Sequence, residues 1–485
     1  MSAEPLIFEL SSKGRYGITW PPVDVPERPT SDLIDAEDLR DELPLPEVSQ
    51  IDVIRHFTHL SSKNYGVDTG FYPLGSCTMK YNPKINEEIV RLPGLSAMHP
   101  YQDESSAQGI LHLLYDMQSF LAEIGGMDAV TLQPAAGAHG ELTAMMIFKR
   151  HHERAGEGHR NVVIVPDSSH GTNPATAARC GYKIRKIQSG PDGLVDLDAL
   201  AAALTDDVAA MMLTNPNTLG LFETSIEKIA KMVHDAGALF YCDGANMNAI
   251  LGITRPGDAG FDAMHFNPHN TFSGPHGGGG PGSGPVAVKS FLADCLPSPT
   301  VNCAGGKYYL DFDHPNSIGR VHSFYGNIAV LVRAYAYILS LGARGLRFTS
   351  ENAVLNANYL LHRISEKYEV PFGNRCMHEF VISACHRKEC GVRALDIGKR
   401  LIDYGVHPPT TYFPLIVAEA LMIEPTETES IETLDAFADA MLKIDEEAAT
   451  QPELLEHAPH ITPVSRLDET LAARKPELRW IAPGD

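Results

Sequence analysis

The sequence predicts an α/β protein, with a large domain on a mainly parallel sheet followed by a smaller C-terminal α+β unit. Three observations carry this. From about residue 105 to 260, apolar strand-like runs alternate with helical periodicity, as in parallel strands joined by crossover helices. Runs such as VVIV (162–165) are apolar throughout, as strands covered on both faces require. After a long helical stretch (318–368), strands and helices alternate again on a smaller scale.

Taken in order, residues 1–60 are rich in Pro and charge (WPPVDVPERPTSD, DAEDLRDELPLPEV) with weak periodicity. They read as an extended arm with short helices that wraps a partner subunit, or as a partly ordered tail. Residues 61–330 form the large domain, entered through SSKNYGVDTGFYPLGSCTMKYNPK (61–84), a structured loop with turn residues and no long apolar run. Strand, small-residue turn and helix then recur in AVTLQPAAGAHGELTAMMIFKRHHER, NVVIVPDSSHGTNPATAARCG, VAAMMLTNPNTLGLFE and SIEKIAKMVHDAGALFYCD. Residues 331–369 are a helical connector. Residues 370–485 hold the small domain and a Pro-broken tail: strand MHEFVISAC, helix GVRALDIGKRLIDYG, strand YFPLIV and helix TLDAFADAMLKIDEEAA.

A chain of 485 residues, 44% hydrophobic, can bury a large core. A net charge of −22 disfavours nucleic acid and anionic membrane as partners. No apolar run approaches the roughly 20 residues of a membrane span, and the N-terminus lacks a secretion signal's pattern. The expectation is a cytoplasmic protein. Eight scattered cysteines make no disulfide framework. Cys385 and Cys390, with His378 and His386 nearby, lack a second matching pair and read as reduced structural thiols; no metal is expected.

The chain is organised around 240–288. An apolar run, Ala238 to Cys242, delivers Asp243, and a second, Ala263 to Phe266, delivers His269 and Asn270 ahead of a glycine-rich loop from Gly274 to Gly284. Polar groups at the carboxyl ends of neighbouring strands are where open α/β sheets place ligands. Asp243 is either a ligand-facing acid or a cap for the next helix. The small residues Gly137 and Ala138, with His139, open a helix whose free amides can meet an anion. By spacing alone His170 reads as loop polarity and Asn215 as ordinary turn chemistry. The glycines at 277–280 permit close backbone approach to a cofactor or a neighbouring subunit, or form a flexible hairpin.

These segments resemble the pyridoxal-phosphate site of the glycine-cleaving P-protein, second subunit of its two-subunit form. The matching letters are Asp243-Gly244-Ala245-Asn246, His269 to His276, LQPAAGAHGE (132–141) and GFYPLGSCTMKYNPK (70–84). Others are SIGRVHSFYGN (317–327), SENAVLNANYL (350–360), CMHEFVIS (376–383), HPPTTYFPLIV (407–417) and EALMIEPTETESIETLDAF (419–437). The resemblance spans nearly the whole chain and implies the fold-type-I architecture of pyridoxal-phosphate enzymes.

It implies a phosphate cradle at Gly137, Ala138 and His139, and an acid, Asp243, that keeps the pyridine nitrogen protonated. Ala245 would lie on one ring face and His170 on the other, Asn215 at the phenolic oxygen, with His269 and Thr271 as further cofactor-binding residues. Tyr72, Ser76, Cys77 and Lys80 would line the substrate side. Implied partners are a paralogous first subunit, a lipoyl-bearing H-protein and glycine, which is decarboxylated before its aminomethyl group passes to the lipoyl disulfide.

One departure from the pattern bears on the chemistry. Where the family carries the Schiff-base lysine, this chain has Asn270, and Pro268 and Gly274 differ as well. A carboxamide nitrogen is delocalised and cannot act as that nucleophile. The bond broken, Cα to carboxylate, does not itself require the lysine, so noncovalent pyridoxal phosphate with impaired turnover is one expectation. The alternatives are a paralogue kept as a cofactor-binding or assembly partner, and the same scaffold acting on another amine.

Overall fold

The computed structural model describes residues 3–41, 43–276 and 282–481, within two compact units, Met1–Thr69 with His457–Asp485, and Gly70–Glu456. In the first unit the helix Gln50–Lys63 starts at Ser49, whose hydroxyl accepts from Asp52 N–H while Asp52 accepts from Ser49 N–H. Short 3-10 turns precede it, and Phe8 stacks on Trp480 at 4.9 Å. Tyr16, Ile18, Trp20, Val23, Val25 and Leu33 are all exposed on this segment.

The second unit holds a seven-stranded sheet. Its strands are β1 (Ala129–Thr131), β2 (Val162–Pro166), β3 (Lys183–Ile187), β4 (Val208–Thr214), β5 (Leu239–Asp243), β6 (Ala263–His265) and β7 (Val286–Val288). They lie in the order β1-β7-β6-β5-β4-β2-β3, and β7 alone runs antiparallel to its neighbours. Every residue of β2, β4 and β5 is buried, because crossover helices cover both faces. β3 forms the edge, and its KIRKI sequence puts charges there, which discourages pairing with another chain.

Beyond the sheet come a hairpin, β8 (Thr300–Ala304) and β9 (Lys307–Asp311), and the helix Ile328–Ile364. Gly342, at φ 59° and ψ −177°, interrupts this helix, a conformation that only glycine adopts readily. By length and apolar content it is the one helix among the described residues that could cross a membrane. Its apolar side chains serve two cores instead: Leu331, Tyr337 and Ile338 pack against the sheet, and Ala357, Leu361 and Ile364 pack in the small domain. The expected connector is thus a wall shared by two cores.

The small domain carries β10 (Phe380–Ser383), β11 (Thr410–Thr411) and β12 (Ala420–Ile423), paired antiparallel in the order β10-β12-β11. The strand expected at YFPLIV is not there; those residues are a turn with Tyr412 at φ 59°, and the strand is the following ALMI. Pro414 has no N–H to give a ladder, while ALMI is buried throughout. The entry loop docks on this sheet: Leu74 bridges Ile423, and Glu424 N–H donates to Pro73 O.

Candidate functional site

Five parallel strands end at one crevice. β1 is followed by the turn into the helix Gly137–Arg154, β2 by Ser168 to His170, and β4 by Thr214 and Asn215; β5 ends on Asp243, and Asn267 to His269 follow β6. The resulting cavity, about 180 Å³, is lined by seven of the expected residues: Gly137, Ala138, His170, Asp243, Ala245 and His269, with Ser76 from the entry loop. It also meets Glu141, Thr172, Thr214, Thr218, Asn246, His265 and Asn267.

Asp243 is 3% exposed. The two readings of it prove compatible: Oδ1 caps Ala245 N–H at 3.1 Å, and Oδ2 accepts from Asn173 Nδ2 at 2.9 Å. His265 Nε2 stands 3.6 Å from Oδ1, while Tyr241 OH donates to the other ring nitrogen at 2.5 Å. Burial lowers the His265 pKa and the charge of Asp243 works the other way. Asp243 is therefore ringed by N–H donors, an acceptor held ready for one more donor in the cavity.

The amides of Gly137, Ala138 and His139 open an 18-residue helix and have no carbonyl one turn behind them. A Cβ on Gly137 would collide with the Asn267 carboxamide, and one on Gly140 would come within 2.7 Å of Gly284 O. These glycines let the helix start sit against the neighbouring loops and leave its amides facing the cavity. The His139 ring turns back, its Nδ1 accepting from Ala135 N–H at 3.1 Å, so His139 can offer its amide but not its ring.

His170 lines the cavity with its Nδ1 accepting from Thr172 N–H at 3.2 Å and its edge towards Phe413. His269 has its pKa pushed down to about 3 by burial and by His276, so it acts as a neutral ring. The remaining expected residues stand behind the lining. Asn215 Oδ1 accepts from Glu223 N–H at 2.9 Å, Thr271 is fully buried, and Tyr72 stacks on His407 at 3.7 Å. Cys77 reaches the site through its carbonyl, which accepts from His276, and burial pushes its thiol up to about 11. It is no reactive thiolate at neutral pH.

Asn270 is 2% exposed, its Nδ2 donating to Ala245 O at 3.3 Å and its Oδ1 facing His276 Nε2 at 3.3 Å. Among the described residues no lysine lines the cavity. Lys80 Nζ is buried and donates to Glu427 (2.8 Å), Thr271 O (3.2 Å) and Tyr337 OH (3.2 Å). Burial works against its charge, but Glu427 and Tyr337 more than offset this and raise its pKa, so it offers no free amine. Lys289 donates to Gly126 O at the opposite end of the sheet, and Lys307 is exposed on the β8–β9 hairpin. Lys80 instead ties the entry loop to the turn that carries Asn270. Lys80→Met strands Glu427 in the interior and is expected to cost about 3–5 kcal/mol, read as a fall in the thermal unfolding midpoint.

Two buried acids hold the entry loop from the small domain. Glu379 Oε2 accepts from Ser76 N–H at 2.8 Å, where Ser76 has φ 62°, and Glu424 Oε2 accepts from Thr78 N–H at 3.1 Å. Burial and the neighbouring Glu424 raise Glu379 well above the carboxylate range, and burial pushes Glu424 up to about 7. With His378 they form the one close group of three His, Cys, Asp or Glu donors among the described residues; His386 pairs with Asp445 instead. The glycines at 277–280 lie outside the described residues.

A family profile for the glycine cleavage system P-protein matches residues 31–304, and one for the C-terminal domain of glycine dehydrogenase matches 349–460. Probable glycine dehydrogenase (decarboxylating) subunit 2 of Caldanaerobacter subterraneus is 61% identical over 476 residues, covering 98% of each chain. The chain belongs to the glycine cleavage system P-protein family. The probable glycine dehydrogenase (decarboxylating) subunit 2 of Alkaliphilus oremlandii is 59% identical, again over 98% of each chain. Among solved structures, an inhibitor-bound glycine decarboxylase (P-protein) aligns with TM-score 0.72 at 19% identity, covering 86% of this chain and 94% of that one. Glutamate decarboxylase of Lactobacillus brevis aligns with TM-score 0.65 at 12% identity, over 88% and 98% of the two chains. These two confirm the fold-type-I architecture that the P-protein resemblance implied.

The residues present fit the pyridoxal phosphate of this family. The helix amides suit a phosphate, Asp243 suits a protonated ring nitrogen, and the buried hydroxyl of Thr214, which lines the cavity, has no partner among the described residues. Glu141, Thr172, Asn173, His265 and the pair Glu379–Glu424 were not singled out in the sequence. Glu141 ends the quoted LQPAAGAHGE and was the nearest to a signal.

Proposed function

We propose that this chain is a P-protein second subunit that binds pyridoxal phosphate noncovalently and decarboxylates glycine slowly. The single observation that supports this is the joining of Asp243, His170 and the open amides of Gly137 and Ala138 around one cavity, with Asn270 in place of an amine. When bound, the cofactor supplies an electron-accepting ring for the pair left on glycine Cα as carbon dioxide departs. The chain's own residues do the rest. Asp243 keeps the ring nitrogen protonated, and the amides at Gly137 and Ala138 hold the phosphate. His170 and Ala245 confine the ring, and Ser76 and Asn246 border the substrate side. Lys80 and the acids Glu379 and Glu424 keep the entry loop in place.

The partners in this reading are a paralogous first subunit, the lipoyl-bearing H-protein, which accepts the aminomethyl group, and glycine. The exposed apolar residues between Tyr16 and Leu33 are surface that a partner subunit would cover. A second reading is supported by the occupied amine of Lys80: the subunit binds cofactor but serves only in assembly. Exchange of labelled bicarbonate into glycine, measured with the first subunit and H-protein present, separates the two. Slow exchange that depends on added pyridoxal phosphate is expected; exchange no faster than with the first subunit and H-protein alone leaves the assembly role.

A further inference from the structure

Glu141 is a buried acid that lines the cavity and has no part in the reading above. Its two oxygens touch the two elements that grip the ring. Oε2 accepts from Asn173 Nδ2 at 3.0 Å, and the same nitrogen donates to Asp243 Oδ2 at 2.9 Å, one amide proton for each acid. Oε1 lies 2.7 Å from Thr172 Oγ1, which lies 2.9 Å from His170 Nδ1. His170 Nδ1 already accepts from Thr172 N–H, so it is the proton-free nitrogen of that ring. The Thr172 hydroxyl has one proton for two acceptors. If Glu141 is ionised, that proton turns to Glu141 and the short approach to His170 sets lone pair against lone pair. If Glu141 carries a proton, every contact is a hydrogen bond: Glu141 donates to Thr172, and Thr172 donates to His170.

We propose that Glu141 is a positioning residue that keeps one proton and, through Thr172 and Asn173, fixes His170 and Asp243 together in the orientation that receives the cofactor ring. The inference rests on the cofactor reading above. Burial, and then the charge of Asp243, pushes the Glu141 carboxyl up to about 8, in the same direction. The titratable groups facing it are Asp243 and Tyr241 from β5, with His170 ahead of its helix and His265 from β6 behind Asp243. Hydrogen bonds with Thr172, Asn173 and Thr176 favour the ionised carboxyl and offset only part of that rise.

The test compares wild type, E141Q and E141L. Glutamine has the same shape, can donate to Thr172 and accept from Asn173, and cannot ionise. At pH 7, E141Q is expected to bind pyridoxal phosphate within about threefold of wild type, whereas E141L, which leaves buried partners unsatisfied, weakens it by about tenfold or more. In infrared titration of the protein without cofactor, wild type is expected to carry, beyond the bands of the buried Glu379 and Glu424 that E141Q shares, a protonated-carboxyl band that disappears near pH 8 and is missing in E141Q. A loss in E141Q as large as in E141L, or wild-type and E141Q spectra with identical titrating carboxyl bands, overturns the proposal. If E141L does not fold, the E141Q and infrared comparisons still decide. If wild type binds no cofactor, the cofactor reading fails and the infrared band alone decides for Glu141.

Discussion

Asn270→Lys is expected to turn a dialysable cofactor into one that borohydride fixes to the protein, with a new visible absorbance and a mass gain on the peptide containing residue 270. The side chain at 270 points at Ala245 O from a short helical turn, and Ala245 lines the cavity. A lysine there extends past Ala245 with its amine in a site dry enough to favour the neutral, nucleophilic form. Regaining positioned acid–base chemistry should raise glycine–bicarbonate exchange by about 10²–10⁴-fold over wild type. Covalent trapping without faster exchange would mean that the lysine is not the missing catalytic part.

Asp243→Asn carries the second large effect. It keeps the shape and removes the negative charge that a protonated ring nitrogen requires. A hydrogen bond to a charged group contributes about 1.5–3 kcal/mol, so cofactor affinity is expected to fall by about ten- to a hundredfold, with a further loss in exchange rate as the ring ceases to draw electrons. The same change removes the charge that helps hold Glu141 upward, so the Glu141 carboxyl should titrate lower in this variant. The sign for stability follows. A carboxyl held above its unfolded value contributes stability that is complete below about pH 4.5 and is lost as pH rises to about 8. Wild type should therefore lose midpoint relative to E141Q across that window, and relative to Asp243→Asn by less.

The parts of the site legible in the sequence were local. A buried strand ending on Asp243 and small residues opening a helix each lie within one βα unit, where periodicity and turn chemistry speak directly. The large sheet was legible for the same reason. What escaped joins residues far apart in the chain. Glu141 and Asp243 are bridged by Asn173 from a third unit, and no spacing encodes that meeting. Lys80 looked like a cavity residue from its motif, yet the structure spends its charge on Glu427, some 350 residues away. YFPLIV had a strand's composition, but Pro414 and the left-handed Tyr412 moved the ladder to ALMI.

The central claim is a cofactor site that binds without a tether, and equilibrium dialysis of wild type against pyridoxal phosphate tests it most directly. One equivalent per chain, fully removable after borohydride treatment and weakened at least about tenfold by Asp243→Asn, is the result predicted. Binding no tighter than that variant shows, or cofactor that borohydride fixes to any residue of the wild-type chain, would contradict it.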